Sequence, residues 1–352
     1  MRFRRLIKTI ESHTQGTPER IVVAGAPRVS GSTMIEKYRH MQEEFDGIRK
    51  FLVNEPRGHR NMCASILTEP VSEGADLGVI FLEPGGYPTM CGHGLIAICT
   101  ALVETGLVPV SEPITALAID TAAGLVQAHA TVVDGQVTKV SITNVPSFVY
   151  EDEISVDVPG VGEVRGTISY GGNFYFIVEA ADFGIELVPG NADDLILLGN
   201  KIWVAVNESR EIIHPTQRAI RGISFVEFSA PPISRGADAR NAVTSPPWNM
   251  DRSPCGTGTC AKMAMLHARG ALALGQEFAH ESILGGLFRG RLVGETSVGD
   301  YAAVLPTIEG SACISGFQEF LLDERDPFPE GFLLGRTEAM YGKSRARAEQ
   351  RT

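Results

Sequence analysis

Short apolar runs bounded by glycine, proline and aspartate alternate along the chain with fewer, longer stretches of helical period. Arg20-Ile21-Val22-Val23-Ala24-Gly25, Gly78-Val79-Ile80-Phe81-Leu82 and Val137-Thr138-Lys139-Val140-Ser141-Ile142-Thr143 read as strands, because β-branched and aromatic residues suit a pleated, partly buried surface. Helices are predicted over 33–51, where Met34, Tyr38, Met41 and Phe45 recur at helical spacing, and over 95–105 and 259–274.

The pattern then repeats. Met90-Cys91-Gly92-His93-Gly94, ahead of the second helix, returns as Pro254-Cys255-Gly256-Thr257-Gly258 ahead of the third, with Cys255 following Cys91 by 164 residues (255 − 91). Downstream of each, a glycine turn leads into a strand pair, at Thr121-Ala122-Ala123-Gly124 and at Ile283-Leu284-Gly285-Gly286. Two copies exclude a solenoid and predict two related α/β lobes facing each other across a pseudo-twofold axis. The acidic, Pro/Gly-containing stretch 151–166 marks the expected boundary, giving lobes at 1–160 and 161–319. Residues 320–345 are expected to pack back on the first lobe, and 346–352 to form a disordered tail.

A length of 352 residues accommodates two such lobes, and 43% hydrophobic residues supply a substantial core. The net charge of -11 opposes nucleic-acid binding, since phosphate backbones are held by clustered Lys and Arg. Arg2, Arg4 and Arg5 open the chain, but Lys8, Glu11 and His13 interrupt it before a signal-peptide core of about 7–15 apolar residues can form. No membrane span is visible, and six cysteines without a secretory signal point to reduced thiols in the cytoplasm. No C-x-x-C pair exists, and Cys91 with His93 supplies only two ligands, so no metal site is expected.

A strand, then Cys, then Gly-x-Gly, then a helix places each sulfur at a helix N-terminus, where unpaired N–H groups and the helix dipole favour anions. A substrate carboxylate is expected on the N–H groups of Gly92, His93, Gly256 and Thr257, with both thiols shifted toward thiolate. Removing an α-proton from an amino acid needs donors aimed at the carboxylate, and inversion needs one group on each face of the carbon. Cys91 and Cys255 on facing lobes supply that pair without a cofactor. Asp251 is expected to accept a hydrogen bond from a substrate ammonium, braced by Arg252, against the alternative of a turn or cap residue. His93 is read as a substrate contact. Gly171-Gly172-Asn173-Phe174-Tyr175 reads either as a loop approaching a ligand or as an ordinary hairpin. Cys63, Cys99, Cys260 and Cys313 read as small buried hydrophobes. A Cys–His hydrolase lacks its partner, because neither His129 nor His214 lies in a comparable turn.

On these residues, together with Ser12-His13-Thr14-Gln15-Gly16, Asn54-Glu55-Pro56-Arg57-Gly58-His59, Gly171-Gly172-Asn173-Phe174 and Asp251-Arg252-Ser253-Pro254-Cys255-Gly256-Thr257-Gly258-Thr259, the chain closely resembles the proline racemase family. That family includes proline racemases, 4-hydroxyproline 2-epimerases and trans-3-hydroxy-L-proline dehydratases. The resemblance implies an α/β (α+β) fold of the diaminopimelate-epimerase type, two pseudo-symmetric lobes each with a curled sheet around a central helix, and an active site in the cleft between them. It implies a cofactor-independent isomerase acting on a small molecule, proline or hydroxyproline, with Cys91 as proton acceptor and Cys255 as donor for one substrate hand. Gly92, His93, Asp251, Gly256 and Thr257 would contact substrate; a homodimer is left open. Dehydratases typically lack the cysteine pair, so both thiols favour inversion over dehydration, with a non-catalytic imino-acid-binding protein as a further alternative. Two departures stand out. Thr17 replaces a frequent Glu, and Phe225 stands where 4-hydroxyproline epimerases often carry His, which leans toward proline or another modified proline unless Ser224 supplies the polar contact.

Overall fold

The computed structural model describes residues 3–246 and 248–334; the tail at 346–352 lies outside them. The first half of the chain runs β1 (Phe3–Thr14), β2 (Thr17–Ala24), α1 (Met34–Glu44), α2 (Asp46–Val53), β3 (Cys63–Thr68), β4 (Leu77–Leu82), α3 (Gly92–Glu104), β5 (Ile114–Thr121), β6 (Gly124–Val133) and β7 (Gln136–Thr143). The second runs β8 (Ser147–Val158), β9 (Gly162–Tyr170), β10 (Phe174–Glu179), α4 (Ala192–Ser209), β11 (Phe225–Ala230), β12 (Ala239–Ser245), the short β13 (Asn249–Met250), α5 (Gly256–Ala268), β14 (Glu277–Glu281), β15 (Leu287–Val298), β16 (Tyr301–Gly310) and β17 (Ala312–Asp323).

The halves share one topology. β2 runs parallel to β3, β3 antiparallel to β4, and β4 parallel to β5, just as β10 pairs with β11, β11 with β12, and β12 with β14. Side chains repeat the match. Asp76 Oδ2 accepts the Ala118 N–H at 2.7 Å and Asp238 Oδ2 the Ala279 N–H at 2.7 Å. Asp120 accepts from the Ser72 N–H and hydroxyl, and Glu281 from those of Ser234. The halves meet where β7 pairs antiparallel with β16, Ile142 opposite Ile308. β8 then pairs with β9 in a hairpin that turns at residue 160, and β17 leaves β16 to pair with β1.

Residues Gly92 to Val103 of α3 are all buried, as are Gly256 to Met265 of α5. A helix apolar all round needs cover on every side, and strands supply it: β1, β2, β6, β7 and β17 around α3, and β8, β9, β10, β15 and β16 around α5. Both helices end alike. The Leu107 N–H reaches the Leu102 carbonyl after left-handed Gly106, and the Ala271 N–H reaches the Leu266 carbonyl after left-handed Gly270. This Schellman stop ends α5 at Ala268, short of the expected 274. The helix expected over 33–51 breaks in two at Phe45, whose backbone (φ −131°, ψ 18°) leaves the helical region and whose ring packs on a second core around Met41, Phe51 and Ile80. α4, absent from the helices predicted, carries Leu195, Ile196, Gly199, Ile202 and Val206 on its buried face. Among the described residues no helix is long and apolar enough to cross a membrane.

Candidate active site

Both central helices start at the Cys-Gly-x-Gly turns, three residues before the apolar pattern places them. Cys91 is extended and caps its helix, Sγ accepting the Gly94 N–H at 3.4 Å. Cys255 has φ +59°, a conformation that costs a non-glycine residue of order 1–3 kcal/mol. Its N–H donates to Ser253 Oγ at 3.1 Å, and its carbonyl accepts the Thr259 N–H at 2.7 Å. The residue before each cysteine is held by a buried asparagine: Asn173 Nδ2 donates to the Met90 carbonyl at 2.6 Å, and Asn241 Nδ2 to the Pro254 carbonyl at 2.7 Å. The glycines beside Asn173 serve the same packing, since a Cβ on Gly171 would lie 2.2 Å from the Thr257 carbonyl oxygen. Within this hairpin Gly171 approaches α5, and Gly172 lies closest to Met90.

The two helix starts touch. A Cβ on Gly92 would lie 2.8 Å from Gly256 Cα, and one on Gly256 would lie 2.8 Å from Gly92 Cα, so glycine at both positions lets the first-turn N–H groups converge. They open on a cleft with about 430 Å³ of atom-free space, its mouth open to solvent included. Cys91, Gly92, His93, Asp251, Cys255, Gly256 and Thr257 all line it. Phe225 does too, stacked on Tyr175 with ring centroids 5.1 Å apart. Ser224 is not among the lining residues; its N–H donates to the Phe174 carbonyl, and Ser245 and Asn249 provide polar lining instead.

The walls differ. His93 Nδ1 and Nε2 lie 3.3 and 3.6 Å from Cys91 Sγ, with Nε2 3.4 Å from Glu19 Oε2 and Nδ1 3.9 Å from Asp251 Oδ2. Cys63 and Glu83, 4.0 Å apart, continue that side. Cys255 Sγ instead meets the Tyr175 hydroxyl at 3.2 Å, which lies 2.5 Å from Thr257 Oγ1. Asp251 Oδ1 accepts from the Thr17 hydroxyl at 2.5 Å, the Ser253 N–H at 2.8 Å and the Ser253 hydroxyl at 2.9 Å. Thr17 and Ser253 therefore brace it, whereas Arg252 donates to the Met250 carbonyl. Thr17, the departure noted above, thus ties β2 to the turn before Cys255.

Burial reverses the expected thiolate shift. It pushes the Cys91 thiol up; His93 pulls it down, while Glu19 and Glu83 add to the rise. Burial pushes Cys255 well up, Asp251 and Glu227 adding and Tyr175 opposing. Burial also disfavours a charged His93, yet Cys91 and Cys63 outweigh it and hold the imidazolium well above the ordinary histidine range. Glu83 is pushed up to about 7, chiefly by burial.

Cys99 and Cys260 pack in the core as expected. Cys63 is buried but lines the cleft, and Cys313 is exposed, because strand alternation turns it to the outer face of β17. Glu19, Cys63, Glu83 and Tyr175 were missed from the sequence. For the two glutamates the signal was a charge adjoining a buried run, as Glu19 precedes Ile21-Val22 and Glu83 follows Leu82. Glu19 also adds a third ligand to Cys91 and His93, their donor atoms all lying within 4.8 Å of one another, against the expectation of only two.

Two matched α/β halves, each presenting a cysteine at a helix start to one shared cleft, define an epimerase-type fold. The proline racemase family model matches residues 9–333, and the chain belongs to that family. It is 46% identical to a proline racemase of Clostridioides difficile, over 95% of this chain and 100% of that one. It is 47% identical to a 4-hydroxyproline 2-epimerase of Streptosporangium roseum, with the same coverages. The crystal structure of a hydroxyproline epimerase from Agrobacterium vitis with bound trans-4-hydroxy-L-proline superposes with a TM-score of 0.91 at 35% identity, covering 96% of this chain and 98% of that one.

Proposed function

We propose that the protein is a racemase or epimerase that inverts Cα of proline or 4-hydroxyproline, with Cys91 on one face of that carbon and Cys255 on the other. The observation that carries this reading is the contact of Gly92 with Gly256, which brings two cysteine-bearing helix starts to one cleft. The substrate carboxylate sits on the first-turn N–H groups of Gly92, His93, Gly256 and Thr257, which stabilise charge moving into it as the α-proton leaves. Asp251 Oδ2 accepts a hydrogen bond from the substrate ammonium. One sulfur, as thiolate, takes the α-proton; the other, as thiol, gives its proton to the opposite face, and the product leaves the pair with roles exchanged. Closure of the lobes over the ring excludes water from the carbanion. The setting we propose is a reducing cytoplasm, where six cysteines stay as thiols.

The test is turnover in deuterated water of L- and D-proline, cis- and trans-4-hydroxyproline and trans-3-hydroxyproline. Deuterium at Cα with inversion supports the reading. A pyrroline product without inversion assigns a dehydratase instead, and binding without exchange assigns an imino-acid-binding protein.

A further inference from the structure

The last glycine of each Cys-Gly-x-Gly turn sits between a cleft sulfur and a buried carboxyl. A Cβ on Gly258 would lie 3.2 Å from Cys255 Sγ and 2.5 Å from Glu227 Oε2, so the sulfur and that oxygen are within 5.7 Å (2.5 + 3.2) of each other. A Cβ on Gly94 would likewise lie 3.1 Å from Cys91 Sγ and 3.2 Å from Glu19 Oε2. Glu227 is 0% and Glu19 1% exposed, and no oxygen of either carboxyl has a hydrogen-bond partner among the described residues. The histidines set the two arrangements apart. His93, held as imidazolium, lies 3.4 Å from Glu19 Oε2 and 3.3 Å from Cys91 Sγ, so a cation stands between that carboxyl and its sulfur. His280 Nε2 lies 3.9 Å from Glu227 Oε1, and its other ring nitrogen meets Thr259 Oγ1 at 2.9 Å. Burial, with Lys262 adding, pushes His280 down to about 3, so this ring brings no charge.

We propose that Glu227 is a positioning residue that acts through Cys255: across Gly258 the carboxyl and the sulfur share one negative charge, and Cys255 is a base only while Glu227 holds its proton. Like charges this close repel strongly in a buried site, so protons leave the pair in two separate steps. Lys262 faces Glu227 from α5, its Nζ donating to Ser229 Oγ at 2.8 Å and lying 3.4 Å from Glu179 Oε1; Tyr175 and Glu179 face it from β10, and His280 from β14. Against the pull of Lys262, burial pushes Glu227 up to about 7, while Cys255 is pushed well above the ordinary thiol range. The first proton therefore leaves mainly from the carboxyl, and a fixed minor share of the singly ionised pair carries its charge on sulfur. Thiolate grows with pH up to about 7 and then levels off, until the second proton leaves at much higher pH. This deepens the function proposed above, in which Cys255 is the base for one substrate hand, but the shared charge is measurable without turnover.

The test is alkylation of Cys255 by iodoacetamide in the full chain, followed by peptide mapping from about pH 6 to about pH 9. In the parent the logarithm of the rate should rise to about pH 7 and then run flat. In Glu227→Gln, which cannot ionise, it should keep rising, so that the two rates agree near about pH 6 and the variant is about tenfold faster at about pH 8, one pH unit beyond the bend. Cys91 should give the same profile in both proteins. Thermal melts identify a variant that fails to fold, and Glu227→Leu then replaces it. A profile that runs straight through the bend in the parent, parallel profiles in parent and variant, or a matching change at Cys91 overturns the proposal. In Cys91→Ser, where Cys255 is the base left in the cysteine pair, exchange of the Cα hydrogen in deuterated water should show the same bend. A chain whose Cys255 alkylates with the bend yet inverts no proline sinks the function and leaves the pair standing; inversion without the bend does the reverse.

Discussion

Around Cys91 the cleft wall is ionisable, with His93, Glu19, Glu83 and Cys63, whereas around Cys255 it is built from Tyr175, Thr257, Phe225 and Ser245. These are corresponding positions of the two halves. Glu19 pairs with Cys63 across β2 and β3 as Tyr175 pairs with Phe225 across β10 and β11. Glu83 follows Leu82, opposite Ala64, as Ser245 follows Thr244, opposite Val226. The repeat thus reproduces the backbone that opposes two sulfurs and leaves their surroundings free to diverge. Burial raises both thiols, but less at Cys91, where His93 opposes it, than at Cys255, where Asp251 and Glu227 add to it and Tyr175 opposes. On the proposed mechanism Cys91 is therefore the readier base of the two, for the substrate hand that presents its α-hydrogen to it.

The largest expected effect comes from removing either sulfur. Cys91→Ser and Cys255→Ser should each lower inversion by about 10²–10⁴, the worth of a positioned acid or base. They should differ in what survives: exchange of the Cα hydrogen for deuterium in one substrate hand for the first variant and in the opposite hand for the second. Proton NMR of the recovered amino acid reads this directly. Exchange of the same hand in both variants would mean that the two sulfurs do not face opposite sides of the carbon.

The buried carboxylates offer a second contrast, in stability. Glu227 lies under the Cys255 turn, its Oε2 2.5 Å from where a Cβ on Gly258 would sit, and burial raises its pKa to about 7. A folded-state value above the unfolded one binds protons more tightly in the native state. Its stabilising contribution is complete below about pH 4.5 and is lost as pH rises toward 7. A shift of this size corresponds to roughly 3 kcal/mol. Glu227→Gln should therefore gain about 3 kcal/mol relative to the parent between pH 4.5 and pH 8, measured by urea unfolding at both. Parallel profiles would show that Glu227 ionises in the native state as it does in the unfolded chain.

The contact between the halves should be evenly sensitive. Gly92→Ala and Gly256→Ala each push a methyl into the other glycine's backbone, and overpacking of this kind costs about 1–3 kcal/mol. Their double variant should cost less than the sum, because the first methyl already parts the helices. Full additivity, in the same unfolding assay, would show that the two positions do not share one contact.

What the sequence disclosed follows the length of the chemistry. Cys91, Gly92, His93, Gly256 and Thr257 are contiguous with their helices, so a turn motif carries them. Glu19, Glu83 and Tyr175 reach the cleft only through strand pairing between segments tens of residues apart, and no local pattern marks such residues beyond an odd charge beside an apolar run. The direction of the thiol shifts was misread for the same reason. The helix start is visible in sequence, but the burial that opposes it is assembled from β2, β4, β10 and β11. The return of β17 to β1 was legible only as the expectation that 320–345 pack back on the first lobe, because a strand that crosses to the other half has the same apolar alternation as one that stays.

Tyr175→Phe should give the smallest effect and the sharpest separation of the two sides. The tyrosine hydroxyl lies 3.2 Å from Cys255 Sγ and is the neighbour that most opposes the upward push of burial on that thiol; removing it leaves the ring stacked on Phe225 and takes away one donor to the sulfur. A lost hydrogen bond to a charged group is worth about 1.5–3 kcal/mol, so Cys255 should titrate at higher pH and alkylate at least about tenfold more slowly at fixed pH. Cys91, whose partners are His93 and Glu19, should alkylate at its former rate. Turnover should fall mainly in kcat for the hand that needs Cys255 as base, with KM little changed, because the hydroxyl acts on the sulfur and not on the bound carboxylate. If peptide mapping instead finds both cysteines slowed together, the two sides share one electrostatic environment, and the asymmetry of their walls has no chemical consequence.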